Sequence, residues 1–180
     1  MIAGNQSIAL MAGKGWVGMI KINKMYKIEE VISKEKSKER WSFIYFDKSG
    51  ESTSAVATDG TMLAIVPCEV ESGELERGNS IKGSDLKFQR QNPAVKKQEY
   101  VFANLEPLGH DFVDYKKVIP TTQAAISISL DIDKLLSLSK ALGTSEVTLK
   151  IHGIDKTIEV VPYALDNKAY GILLPLRPHK

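Results

Sequence analysis

Apolar and polar residues alternate over Trp16–Ile22, where Trp16, Gly18/Met19, Ile20 and Ile22 keep a period close to two and predict a strand. The period then changes. Met25, Ile28, Val31 and Ile32 recur at spacings of three and four, which predicts a helix, with Asn23 placed to cap its start. Lys34 to Arg40 reads as a polar, basic connection, and Trp41–Phe46 as a compact strand of β-formers ended by turn residues at Asp47–Gly50. Ser54–Ala57 and Met62–Val66 continue as strands about a tight Asp59-Gly60 turn. Val70 to Lys97 has no clear period, is charged and is interrupted by Gly73, Gly78, Gly83 and Pro93, so it reads as a surface excursion.

Alternation returns at Glu99–Leu105 and Ala124–Leu130, each a predicted strand. A second helix follows with Asp131 as cap, Ile132, Leu135, Leu136 and Leu142 on one face, and Gly143 as its stop. Strands at Val147–Ile151, Thr157–Val161 and Tyr170–Leu174 finish the chain, with turns at Gly153 and Asp166-Asn167. Met1 to Gly15, rich in Gly, Ala, Ser and Met, reads as a loose arm or an added short strand.

The order strand, helix, strand, strand, strand therefore occurs twice. Two such units, each unable to cover its own helix and sheet, bury their apolar faces against each other. The expected architecture is a single α+β domain over residues 1–180, with pseudo-two-fold symmetry and both helices on one side of antiparallel sheets. Its first repeat covers residues 16–67, its connecting region 68–122 and its second repeat 124–178.

Composition narrows the function. The 180 residues are 43% hydrophobic and 26% charged, ordinary for a globular chain and too apolar for a disordered one. A formal charge of +2 gives no global field to draw the protein onto DNA or a membrane, so any nucleic-acid contact needs a local basic face. Cys68 is the single cysteine, which excludes an internal disulfide and a Cys-rich zinc site. No apolar run approaches the ~20 residues that cross a bilayer, and no signal-peptide pattern opens the chain, so a cytoplasmic location without membrane contact is expected. His110, His152 and His179 are scattered, and Gly13-Lys14-Gly15 lacks the following Ser or Thr of a phosphate loop. Asp59, Asp111 and Asp114 read as turn and linker residues rather than a metal trio. No catalytic set, cofactor or metal is expected.

Three segments carry a resemblance to a known family. Ala57-Thr-Asp-Gly-Thr-Met-Leu-Ala64 is similar to the A-T-D-G-H-R-L-A run in the middle domain of the bacterial DNA polymerase III beta subunit, the DNA sliding clamp. Phe112-Val-Asp-Tyr-Lys-Lys-Val-Ile-Pro120 resembles that family's F-P-D-Y-R-R-V-L-P linker, and Tyr170-Gly-Ile-Leu-Leu-Pro-Leu-Arg177 its C-terminal Y-V-V-M-P-M-R. Thr61, Met62 and Val113 depart from the pattern, and the chain resembles a reduced, one-domain version.

The resemblance implies the DNA-clamp fold and a non-catalytic replication accessory of the polymerase processivity type. It also implies an apolar pocket for a short peptide of a polymerase or other partner, formed by Thr58, Gly60, Met62, Leu63, Lys117, Val118, Leu174, Pro175, Leu176 and Arg177. The competing reading is that Leu63, Leu173 and Leu174 are simply core residues of edge strands, with Gly60 needed only for positive φ in the turn. Helix cations of clamps touch DNA phosphates without reading sequence, which implies duplex-DNA contact for Lys24, Lys27, Lys34, Lys36, Lys38 and Arg40, and for Lys134 and Lys140 on the second helix. Glu29, Glu30, Glu35 and Glu39 interleave with the first set, so a solvated charged helix is the competing reading. A ring of the family's kind uses six domains, which implies a homo-oligomer. The alternative is a peptide-binding adaptor or clamp inhibitor that does not encircle DNA.

Overall fold

The structure is a computed structural model and describes residues 17–76, 78–106, 114–163 and 169–176. The expectations for Met1–Gly15, Trp16, Phe112, Val113, the Asp166-Asn167 turn and Arg177 lie outside the described residues. Internal contacts divide the chain into two compact units, Met1–Val118 and Ile119–Lys180.

In the first unit, β1 (Gly18–Asn23), β2 (Phe43–Ser49), β3 (Ser52–Thr58), β4 (Leu63–Gly73), β5 (Ser80–Lys82) and β6 (Tyr100–Leu105) form one antiparallel sheet. Its order is β5-β2-β3-β4-β1-β6. Alternation sends Ile20 and Ile22 of β1, and Val101, Ala103 and Leu105 of β6, inward onto Ile44, Phe46, Ala55 and Ala57. Phe43–Asp47 and Ala55–Ala57 are buried at every position, so these central strands are covered on both faces. The two edge strands meet through paired bonds between Ser80 and Glu106, which curls the sheet around its core.

Four readings of this unit are corrected. The helix expected over Met25–Ile32 is only a 3₁₀ turn at Ile28–Glu30. A helix would give the Lys24 and Tyr26 carbonyls to the N–H groups of Ile28 and Glu30, but here the Arg90 guanidinium donates to both carbonyls. Asn23 caps no helix; its Oδ1 accepts from the Met25 N–H at 3.0 Å. Trp41 opens no strand, because it lies in a 3₁₀ segment, Lys36–Ser42, kinked at Lys38. Asp47 is not a turn residue but a buried member of β2, held by partners described below.

The fourth correction is the excursion at Val70–Lys97, most of which is regular structure. β4 runs on to Gly73, β5 follows, and then come α1 (Gly83–Gln91) and the single turn α2 (Pro93–Lys96). Leu86 is the apolar anchor of α1, and Gly83 lies so close to Ile32 that a Cβ there would come within 2.1 Å of its Cδ1. Arg90, paired with buried Glu29, fixes the other end. Pro93 starts α2 rather than breaking structure, with the Asn92 side chain accepting from the Ala94 N–H.

In the second unit, α3 (Ile132–Ala141) precedes β7 (Val147–Ile151), β8 (Ile158–Pro162) and β9 (Gly171–Leu173), which form a sheet in the order β7-β8-β9. Asp131 caps α3 as expected, accepting from the Asp133 and Lys134 N–H groups at 3.1 and 3.2 Å. Gly143 ends it at φ 68°. Ile158, Val160 and Leu173 are buried against Leu135, Leu138 and Leu142. Two expectations fail here. Ala124–Leu130 is not a strand: within it the Ser129 carbonyl accepts from the Leu176 N–H, too little to build a ladder. Ile132 and Leu136 leave the packed face of α3 and point to solvent.

Candidate functional site

The Asp59-Gly60 turn is built by side chains. Asp59 Oδ1 accepts from the Thr61 N–H, the Thr61 hydroxyl and the Met62 N–H, each at 2.8 Å. The backbone bond from Thr61, then that from Met62, holds the Asp59 carboxyl below its ordinary pKa. Thr58 Oγ1 accepts from the Gly60 N–H at 3.0 Å and donates to the Met62 carbonyl at 2.6 Å, closing the turn from its other side. Gly60 has φ 94° and rests on the Trp41 indole, where a Cβ would come within 2.3 Å of the ring. Trp41 in turn lies near the cations of Lys38 and Arg40, 5.6 and 5.1 Å from its ring centre.

This turn brings Thr58, Gly60, Met62 and Leu63 together. Leu63 starts β4 opposite Thr58, and Met62 projects its thioether with 53% of its surface exposed. Such a side chain suits an adaptable apolar contact.

Lys117 and Val118 lie on a 3₁₀ turn, Tyr115–Val118, that is pinned to β2. The Tyr115 hydroxyl donates to Asp47 Oδ2 at 2.6 Å, and Lys116 Nζ lies 2.8 Å from the same oxygen and 3.2 Å from Ser49 Oγ. Asp47 is thus a buried carboxylate with its partners in place. It faces Ser54, four residues along β3 from Thr58 and so about 13 Å from it at ~3.3 Å per residue. Val118 is exposed, and Lys117 pairs with Asp114 at 3.0 Å.

Leu174, Pro175 and Leu176 belong to the second unit and follow β9. Leu174 is 70% exposed and Leu176 is also open, with its N–H held by Ser129. Leu174 is therefore no core residue, whereas Leu173, on edge strand β9, is buried as the competing reading expects.

The cations expected to meet DNA have no α-helix to array them in the first unit. Lys24 Nζ donates to the Val95 carbonyl, Lys38 pairs with Glu35, and Arg40 lies over Trp41. Lys134 pairs with Asp131 on α3. Lys27, Lys34 and Lys140 are exposed, and the Lys36 side chain lies outside the described set. Burial pushes the Cys68 thiol up to about 12, with Glu69 adding to the shift, so it is no nucleophile at neutral pH. Among the described residues no group of three His, Cys, Asp or Glu is placed to hold a metal ion. A shallow cleft of about 400 Å³ is lined by Ser33, Lys34, Glu35, Glu39 and Ser42, too polar for an apolar anchor.

Trp41, Asp47 and Tyr115 support these turns yet stood outside the candidate set. A carboxylate inside a run of β-formers, as at Asp47, is the signal that a partner must come to it.

No protein-family model matches the sequence, and no curated protein matches it. Solved structures do. The chain is similar to the DnaN sliding clamp (DNA polymerase III subunit beta) from Bartonella birtlesii bound to griselimycin, with 18% identity and a TM-score of 0.64 over 93% of this chain and 53% of that one. The chain has the sliding-clamp fold. The C. crescentus beta sliding clamp, with PEG bound, agrees with a TM-score of 0.64, 20% identity and coverage of 92% and 52%. DNA polymerase III subunit beta from Borrelia burgdorferi, in complex with a natural product, gives 0.63, 14% identity and coverage of 91% and 50%. The chain spans about half the length of each of these clamps. The α+β clamp fold expected from the three motifs is therefore the one observed, although the first repeat lacks its helix. No helix among the described residues is long and apolar enough to cross a membrane.

Proposed function

We propose that this chain is a non-catalytic, clamp-type accessory of DNA replication that takes a short apolar peptide of a polymerase or other partner protein. The observation that carries the reading is the Asp59-Gly60 turn. Five side-chain bonds hold it in one conformation and present Met62 outward, which lowers the ordering cost of binding. Open Val118, in the same unit, supplies a further apolar contact, with Thr58, Gly60, Leu63 and Lys117 as the other expected members. Fluorescence polarisation with a labelled clamp-binding peptide tests this. Saturable binding, weakened tenfold or more by Met62→Asp as expected for loss of ~1.4 kcal/mol or more, supports it; no binding by the native chain rejects it.

A second reading, a peptide-binding adaptor or clamp inhibitor that does not encircle DNA, is favoured by the state of the cations. Lys38 and Lys134 are already paired with carboxylates, and no helix aligns Lys27 with Lys34. Under the processivity-factor reading, Lys24, Lys27, Lys34, Lys36, Lys38, Arg40, Lys134 and Lys140 contact duplex phosphates in a homo-oligomer. DNA affinity then falls steeply with salt and ignores sequence. A gel-shift titration with no binding, or with flat salt dependence, selects the adaptor. Both readings take the chain as one clamp-like module in the cytoplasm.

A further inference from the structure

Helix α3 carries two apolar rows with different fates. Leu135, Leu138 and Leu142 pack on Ile158, Val160 and Leu173. Ile132 and Leu136 remain 67% and 51% exposed, and no residue of α3 is fully buried. At about 100° per residue, Ile132, Leu136 and Lys140 form one row, and Asp133 lies within about 20° of Lys140 around the helix. Leu136 therefore sits between an acid near one end and a base near the other, about 10 Å apart along the axis. The ion pair that α3 makes with its own chain, Lys134 with Asp131, uses neither of them.

We propose that this face of α3 docks antiparallel against the same face of a second copy of the chain, about a two-fold axis beside Leu136. A two-fold interface must be self-complementary, so that residue i meets j and j meets i. The α3 face meets that condition in one orientation. Antiparallel packing centred on Leu136 sets each Asp133 opposite Lys140 of the second copy, Leu136 against Leu136, and Ile132 at the flank. Parallel packing opposes like charges and is disfavoured. Duplex DNA fits less well, because the row pairs its cation with an acid and has apolar residues at its centre. One pair of ten-residue helices covers less than a standard interface, so the association is weak and reversible. This surface is separate from the peptide-facing residues, so it stands or falls apart from the peptide reading, but it competes for Lys140 with the DNA contacts of the processivity-factor reading.

The test uses the full chain carrying Leu136→Cys under mild oxidation at tens of micromolar protein, a range suited to weak interfaces. Native Cys68 is buried and does not compete. A covalent dimer on a non-reducing gel is expected, whereas Thr148→Cys, at an exposed position of β7, stays monomeric. Sedimentation of charge variants fixes the orientation. Asp133→Lys and Lys140→Asp each weaken self-association several-fold, and the two together restore it, with circular dichroism showing that α3 is kept. Failure of Leu136→Cys to cross-link beyond the Thr148→Cys control, or a double variant weaker than either single one, overturns the proposal. So does a Lys140→Asp variant that loses DNA binding with self-association unchanged, which assigns the face to DNA. Peptide binding by a Leu136→Asp variant should match the native chain, so a failed peptide experiment is not confused with a failed dimer.

Discussion

The two units solve the burial problem on different scales. The first wraps a six-stranded sheet around Ile20, Ile22, Ile44, Phe46, Leu86, Val101 and Leu105, with central strands covered on both faces. Among its described residues the second has three strands and one helix around buried Ile158, Val160 and Leu173. Fully burying one such side chain is worth about 1.5–3 kcal/mol, while each ordered residue costs about 1–2 kcal/mol in backbone entropy. The first unit thus has the larger apolar core to set against the ordering of its chain, and the second the smaller.

The comparison can be broken most sharply at Phe46. Phe46→Ala should destabilise the first unit by about 4 kcal/mol, read by urea unfolding. Hydrogen exchange should then rise in β1–β6 while β7–β9 keep their rates; equal loss in both units would mean that they unfold as one. Arg90→Met comes next, at about 3 kcal/mol, because it strands the buried Glu29 carboxylate and frees the carbonyls of Lys24 and Tyr26. The same urea series measures it, and a loss under about 1 kcal/mol would show the pair to be replaceable by packing. In the second unit Asp131→Ala removes the α3 cap at a cost of about 1 kcal/mol. Faster exchange confined to α3 and β7–β9 is the expected signature.

The smallest effect is the titration of Asp59. Its carboxyl is held below the ordinary value, so the bonds to Thr61 and Met62 are fully present above the unfolded-state pKa and are lost as pH falls through the folded one. A ¹³C titration of the Asp59 carboxyl should give a midpoint below about 3.9. A midpoint at or above that value would mean that the turn does not hold the carboxylate in solution.

What could be read from the residues follows the same division. α3 was legible because its cap at Asp131, its apolar spacing and its stop at Gly143 all agree. So were β2, β3 and the start of β4 about Asp59-Gly60, where β-formers and a turn pair coincide. The helix expected at Met25–Ile32 has sound spacing, but spacing cannot show that Arg90, far along the chain, takes its carbonyls. α1 escaped notice for the converse reason. Gly83–Gln91 has a single buried anchor, Leu86, and is held by a close approach and an ion pair rather than by an apolar stripe. Met62 and Leu174, which the motifs named as peptide-binding, are both exposed apolar residues. The supports were invisible, since Tyr115 reaches Asp47 across 68 positions of sequence.

The seating of Gly60 on the Trp41 ring gives the protein an optical gauge. An indole shielded by a turn emits at shorter wavelength than one bathed in solvent. Ligands that lift or clamp the Asp59–Met62 segment should therefore register as a change in intrinsic emission, and Trp16→Phe leaves Trp41 as the sole emitter. Binding at this end of the sheet can be followed without attaching a dye.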